Sequence, residues 1–156
     1  MDYLKNEKDV HNLIYCYATD VVGSVEQYLA FYPGDDYVDI LGIDNYAFVK
    51  DKVDIPKTVK LLEMIVNLAA EKGKIAALTE TGHESVPIDN WWTEVLLKSI
   101  QATPKTSKIA WVHLWRNAWI PHHYTPYKGH PSEANFKQFY QDSTTVFEND
   151  LPDMYR

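Results

Sequence analysis

The chain has 156 residues, 46% of them hydrophobic and 24% charged, enough for one unit with a real core, and no stretch nears the roughly 20 consecutive apolar residues of a membrane-spanning helix. A formal net charge of −7, with no cluster of Lys and Arg, excludes nucleic acid as a partner, because such binders gather basic side chains on one face. Aromatic content is the unusual feature: the five Trp and eleven Tyr offer apolar faces with polar edges, suited to core packing and to sugar rings alike.

Four short runs read as strands, being rich in β-branched and aromatic residues and bounded by turn formers: 12–18 (NLIYCYA), 38–46 (VDILGIDNY), 74–82 (KIAALTETG) and 109–117 (IAWVHLWRN). The first contains Cys16, the single cysteine, which has no internal disulfide partner and reads as a small buried side chain. Helical patterns lie between and after the strands. Residues 25–31 place Val25, Tyr28 and Leu29 at helical spacing before Pro33-Gly34. Residues 57–72 carry Leu61, Leu62, Ile65 and Leu68 on one face and stop at Gly73. A third helix is predicted over 91–102, with one of Trp91 and Trp92 buried and the other near the rim. A fourth opens at Ser132 as N-cap, with Phe136, Phe139 and Tyr140 facing inward. Four strand–helix alternations predict an α/β fold of parallel (β/α) units, and without linker or repeat they predict one domain over residues 1–156.

In such folds ligands bind where the strands end and the βα loops begin. Those tips carry Asp20, then Asp44 with Tyr46, then Glu80, then Trp115 with Arg116. Two carboxylates flanked by aromatics suit glycoside hydrolysis, where one carboxyl protonates the leaving oxygen and another attacks or activates water. Asp44 and Glu80 serve equally well as a structural pair satisfying strand-end amides. His122, His123 and His130 do not form a metal motif, since adjacent histidines on a strand face opposite ways and no i, i+4 pair is present. No nucleotide-binding glycine loop or serine elbow occurs, and no cofactor is expected.

The segments FYPGDDYVDILGIDNY (31–46), ALTETG (77–82), WRNAW (115–119), YTPYKGHP (124–131) and FENDLPDMYR (147–156), in that order, resemble the carboxyl-terminal half of glycoside hydrolase family 26. These are chiefly endo-β-1,4-mannanases on a (β/α)8 barrel. The resemblance covers nearly the whole chain. It implies strands five to eight of a TIM barrel, a β-mannan substrate, a retaining mechanism with two glutamates, and a secreted, periplasmic or cell-surface location. Glu80 matches the nucleophile, and Tyr46 matches the tyrosine that hydrogen-bonds it. Trp115 matches the platform under the sugar, while Asp44 and Arg116 match residues holding neighbouring hydroxyls, with an Asp44–Arg116 ion pair as the structural alternative. Asp20 follows YAT (17–19), where the family more often has a proline two positions after the equivalent tyrosine.

The family's acid/base glutamate ends the fourth strand, and nothing before Asn12 supplies it; MDYLKNEKDVHN resembles the tail of the fourth helix. The chain alone is therefore expected to be inactive unless Glu84 or Asp89 acts as a surrogate. The alternatives are a saccharide-binding remnant using Trp115, Trp119, Tyr46 and Arg116, or an assembly module. Two open sheet edges predict self-association or pairing with the missing half. His122, His123 and Tyr124 are expected to wall the cleft, and Glu148, Asp150 and Asp153 to form a solvated tail.

Overall fold

A computed structural model describes residues 1–153; the last three residues of the closing FENDLPDMYR segment lie outside them. The chain forms a four-stranded sheet in the order β1 (Cys16–Thr19), β2 (Ile40–Asn45), β3 (Ile75–Thr81) and β4 (Val112–Leu114), with every neighbouring pair parallel. Helices α1 (Val25–Tyr28) and α2 (Ile55–Lys72) make the first two crossovers. A π-helical stretch, Trp92–Leu97, runs into α3 (Lys98–Ile100) to make the third, and α4 (Glu133–Tyr140) follows β4.

The best-defined unit is β2–α2–β3. Asp54 caps α2 by accepting the Lys57 backbone N–H at 3.0 Å, and Pro56 lies in the first turn, where its missing N–H costs nothing. Gly73 ends the helix in the left-handed conformation, φ 65°, with its N–H on the Ala69 and Ala70 carbonyls. Leu61, Leu62, Ile65, Val66, Leu68 and Ala69 are buried, and with Leu41 and Ile43 of β2 and Ala76 and Leu78 of β3 they form the core. Asn45 stitches the layers: its amide N–H donates to Thr58 Oγ1 at 3.3 Å and its carbonyl accepts the Thr81 hydroxyl at 2.8 Å. On the other flank, the Tyr28 hydroxyl is buried on the Gly42 carbonyl at 2.9 Å, while the Tyr17 hydroxyl donates to the Tyr28 carbonyl at 2.8 Å.

Alternation along the strands sends Leu41 and Ile43 toward the helices and Ile40, Gly42 and Asp44 to the opposite face. Among the described residues no helix covers that face. Cys16 lies on it, paired with Ile40, and is exposed rather than buried, because β1 is an edge strand and only its Tyr17 side meets the core.

Local pattern fails at several other places. The first and last strands are shorter than expected, because Tyr15 is bound through the Asp39 side chain and the turn amides of Asp39 and Ile40 rather than in a ladder, and β4 pairs only at Val112 and Leu114. Trp91 and Trp92 are both fully buried. The Trp91 indole N–H donates to the Val49 carbonyl at 2.6 Å, and Trp92 packs edge-on to Phe136 at 4.6 Å between ring centres. Ser132 stands at the N-cap position without a side-chain cap; its hydroxyl bonds His130 Nδ1 at 3.0 Å. Tyr140, expected to face inward, is 38% exposed, and Phe147 from the tail packs against Phe136 and Phe139 instead.

Candidate active site

A β-bulge decides where Glu80 points. Ile43 pairs with Leu78, yet the next residue of β2, Asp44, pairs with Glu80, leaving Thr79 as an extra residue in β3. Leu78 is in the helix-side core, so strict alternation turns Thr79 away from the helices and Glu80 back toward them. The bulge removes that flip. Glu80 instead shares the open face with its register partner Asp44, at the carboxyl end of the sheet.

Each carboxylate has a donor. The Thr79 hydroxyl donates to Asp44 Oδ1 at 2.7 Å, and the Tyr46 hydroxyl to Glu80 Oε2 at 3.2 Å. Burial first, then the Glu80 charge and hydrogen bond, push the Tyr46 phenol well above its usual range, so it keeps its proton and remains a donor. Burial also raises the Asp44 carboxyl, assisted by the charges of Glu80 and Asp20 and opposed by Thr79 and His113. Asp20 itself is exposed and accepts the Val21 backbone N–H at 2.7 Å. None of the ion pairs among the described residues includes Arg116, which is exposed at the rim. Half-buried Trp115 is placed by its backbone N–H on the Thr81 carbonyl, 3.2 Å away, and by an edge contact with His113.

The Asp44 shift has a consequence for stability. Its folded carboxyl holds a proton more tightly than the unfolded one, so the native state binds more protons above the ordinary value of 3.8, and stability falls as pH rises through that window. Asp44→Asn keeps an acceptor oxygen for Thr79 and removes the charge. Denaturant unfolding across a pH series is expected to find the variant more stable than the parent at neutral pH, with the gain vanishing below the ordinary aspartate range.

The loops after β3 and β4 are locked to each other. Gly82 has φ 139°, and a Cβ there meets Tyr124 Cδ1 at 2.6 Å, so only glycine lets the Tyr124 ring approach. Ser85 and Val86 both hold positive φ, 62° and 42°, a conformation unfavourable for a β-branched residue. Opposing bonds fix it: the Ser85 N–H donates to the His123 carbonyl at 2.7 Å and its hydroxyl to the Pro121 carbonyl at 2.5 Å, while its carbonyl accepts His130 Nε2–H at 3.2 Å. Asn117 closes the second loop, accepting the Tyr124 and Thr125 backbone N–H groups at 2.8 and 3.0 Å.

Between these loops and the one after β2 lies a polar depression of about 370 Å³ lined by Tyr46, Lys50, Asp51, His83, Glu84 and Tyr124, among others. Burial, opposed by the Asp51 carboxylate, holds the His83 imidazole below its usual range. Glu84 binds His122 Nδ1 at 2.6 Å, and Asp89 is exposed. Tyr124 lines this depression, and His122 reaches it only through its bond to Glu84, whereas His123 is buried between Tyr127 and His130. The bulge, the Glu84–His122 bond and the fit of Tyr124 against Gly82 were missed from sequence; of these, only the glycine directly after TET offered a signal.

Comparison with known proteins bears on the family and the fold. The profile of Glycosyl hydrolase family 26 matches residues 1–146. A mannan endo-1,4-β-mannosidase of Bifidobacterium adolescentis is 34% identical over 89% of this chain, which spans only 16% of that relative's length. A family 26 β-mannanase from Bacteroides ovatus superposes with a TM-score of 0.87 at 35% identity, covering 99% of this chain and 44% of that one. A family 26 protein from a Muricauda species gives 0.89 at 34%, covering 99% and 43%. Four parallel β/α units with this coverage are part of a (β/α)8 barrel, and the chain belongs to glycosyl hydrolase family 26.

Proposed function

We propose that this chain carries the nucleophile side of an endo-β-1,4-mannanase site. The observation that supports it most is the Thr79 bulge, which sets Glu80 on the open face beside Asp44 with the Tyr46 hydroxyl on its Oε2. Tyr46 occupies one oxygen and leaves Oε1 free to attack. Glu80 then forms a bond to the anomeric carbon while the bond to the leaving sugar oxygen breaks, that oxygen taking a proton from a general acid. Water displaces Glu80 in a second step, so the configuration is retained.

Trp115 lies under the sugar at the cleavage point, and Asp44 and Arg116 hold neighbouring hydroxyls. The general acid comes from sequence outside these 156 residues, delivered by a half that pairs with the open edges of β1 and β4. The chain alone is accordingly inactive on mannan, since loss of general acid help costs about 10²–10⁴ in rate.

Mannohexaose hydrolysis by the chain assembled with an acid-bearing half tests this reading. Reducing ends are expected to appear and to disappear with Glu80→Ala; release that survives that change overturns it. In the same assembly Tyr46→Phe removes a hydrogen bond to a charged oxygen, worth about 1.5–3 kcal/mol. The expected result is a fall in kcat of roughly 10–100-fold with little change in KM, read from initial rates.

A further inference from the structure

We propose that the exposed indole of Trp119 is a platform for a sugar unit of the β-1,4-linked chain away from the cleavage point; this rests on the mannanase reading above. Trp119 is 62% exposed, yet its ring is not free to swing. It stacks on His122 with centres 5.1 Å apart and planes at 29°. His122 is fixed in turn by the Glu84 carboxylate at 2.6 Å and by the edge of Tyr124 at 5.5 Å.

Tyr124 meets Tyr46, the partner of Glu80, at 6.2 Å, so three ring contacts lead outward from the reacting carboxylate to the indole. With one indole face covered by His122, the other is left for the apolar C–H face of a pyranose. The depression linked to the indole through the His122–Glu84 bond carries Lys50, Asp51 and Glu84 for its hydroxyl rim. Holding the ring in advance lowers the ordering cost of binding, which distinguishes this tryptophan from a loose surface side chain.

Calorimetric titration of the 156-residue chain with mannohexaose and with mannobiose decides the matter. Trp119→Ala is expected to weaken mannohexaose about tenfold and leave mannobiose unchanged, because the disaccharide is satisfied near Glu80. Trp119→Phe, which keeps an aromatic face and controls for folding, is expected to retain most of the affinity. Equal mannohexaose affinity in parent and Trp119→Ala overturns the platform, and so does an equal loss for both sugars. A parent chain that binds neither sugar overturns the mannanase reading itself, and the platform with it.

Discussion

A fluorinated manno-oligosaccharide donor with a dinitrophenolate leaving group is expected to attach one glycosyl group to this chain, on Glu80, and none to Glu80→Ala. Dinitrophenolate departs without a proton, so the step needs the nucleophile and not the general acid: the bond from the anomeric carbon to the aryl oxygen breaks as the bond to Glu80 forms. Fluorine beside the anomeric carbon withdraws electrons from the oxocarbenium-like transition state and slows hydrolysis of the ester, which lets the adduct accumulate. Intact-mass measurement gives the stoichiometry, and peptide mapping gives the site. Because Tyr46 donates to Oε2 at 3.2 Å, Tyr46→Phe is expected to label more slowly but at the same residue. A label on Asp44 reverses the assigned roles. An unlabelled parent chain sinks the idea that the nucleophile side is built within these residues.

The rim of this site was legible because topology alone creates it. Four parallel strands joined by helices bring all their carboxyl ends to one edge, so Asp44, Tyr46, Glu80, Trp115 and Arg116 could be grouped from order and residue type. Helix α2 was equally legible, its start marked by Asp54 and Pro56 and its end by Gly73. The bulge was not. Counting by twos from Leu78 in the core turns Glu80 toward the helices, and only the register to β2 reveals the extra residue. Trp91 and Trp92 defeated a one-face reading because Val49 covers one indole and Phe136 and Phe139 the other, contacts made more than forty residues along the chain in each case. Arg116 and Asp44 looked like a pair by charge, but Thr79, which the bulge brings alongside, holds the carboxylate instead. What sequence conceals here is register and long-range contact, neither of which leaves a periodic trace.

The second large effect is expected at Gly42, which the bulge makes irreplaceable. Its backbone is ordinary strand, so Gly42→Ala on conformational grounds alone should stabilise by about 0.4–1 kcal/mol. Space forbids it. An added Cβ falls inside the contact distance of Thr79 Cγ2, 2.6 Å from Thr79 Oγ1 and 3.0 Å from the Ala18 Cβ. Thr79 cannot retreat without breaking its 2.7 Å bond to Asp44, and overpacking of this kind typically costs about 1–3 kcal/mol. A lower melting temperature, by roughly 2–4 °C for each kcal/mol in a chain of this size, is therefore expected for Gly42→Ala. Combining it with Thr79→Ala removes the nearest obstructing atoms, and the double variant should lose less than the two single losses together, by about 0.5–3 kcal/mol. Recovery is incomplete because the contact with Ala18 remains. Simple additivity would mean that Thr79 does not pack against Gly42 and that something else sets the bulge. Since Thr79 directly precedes Glu80, displacing it also moves the Glu80 carboxylate, so Gly42→Ala should slow the labelling of Glu80 under conditions in which the chain is still folded.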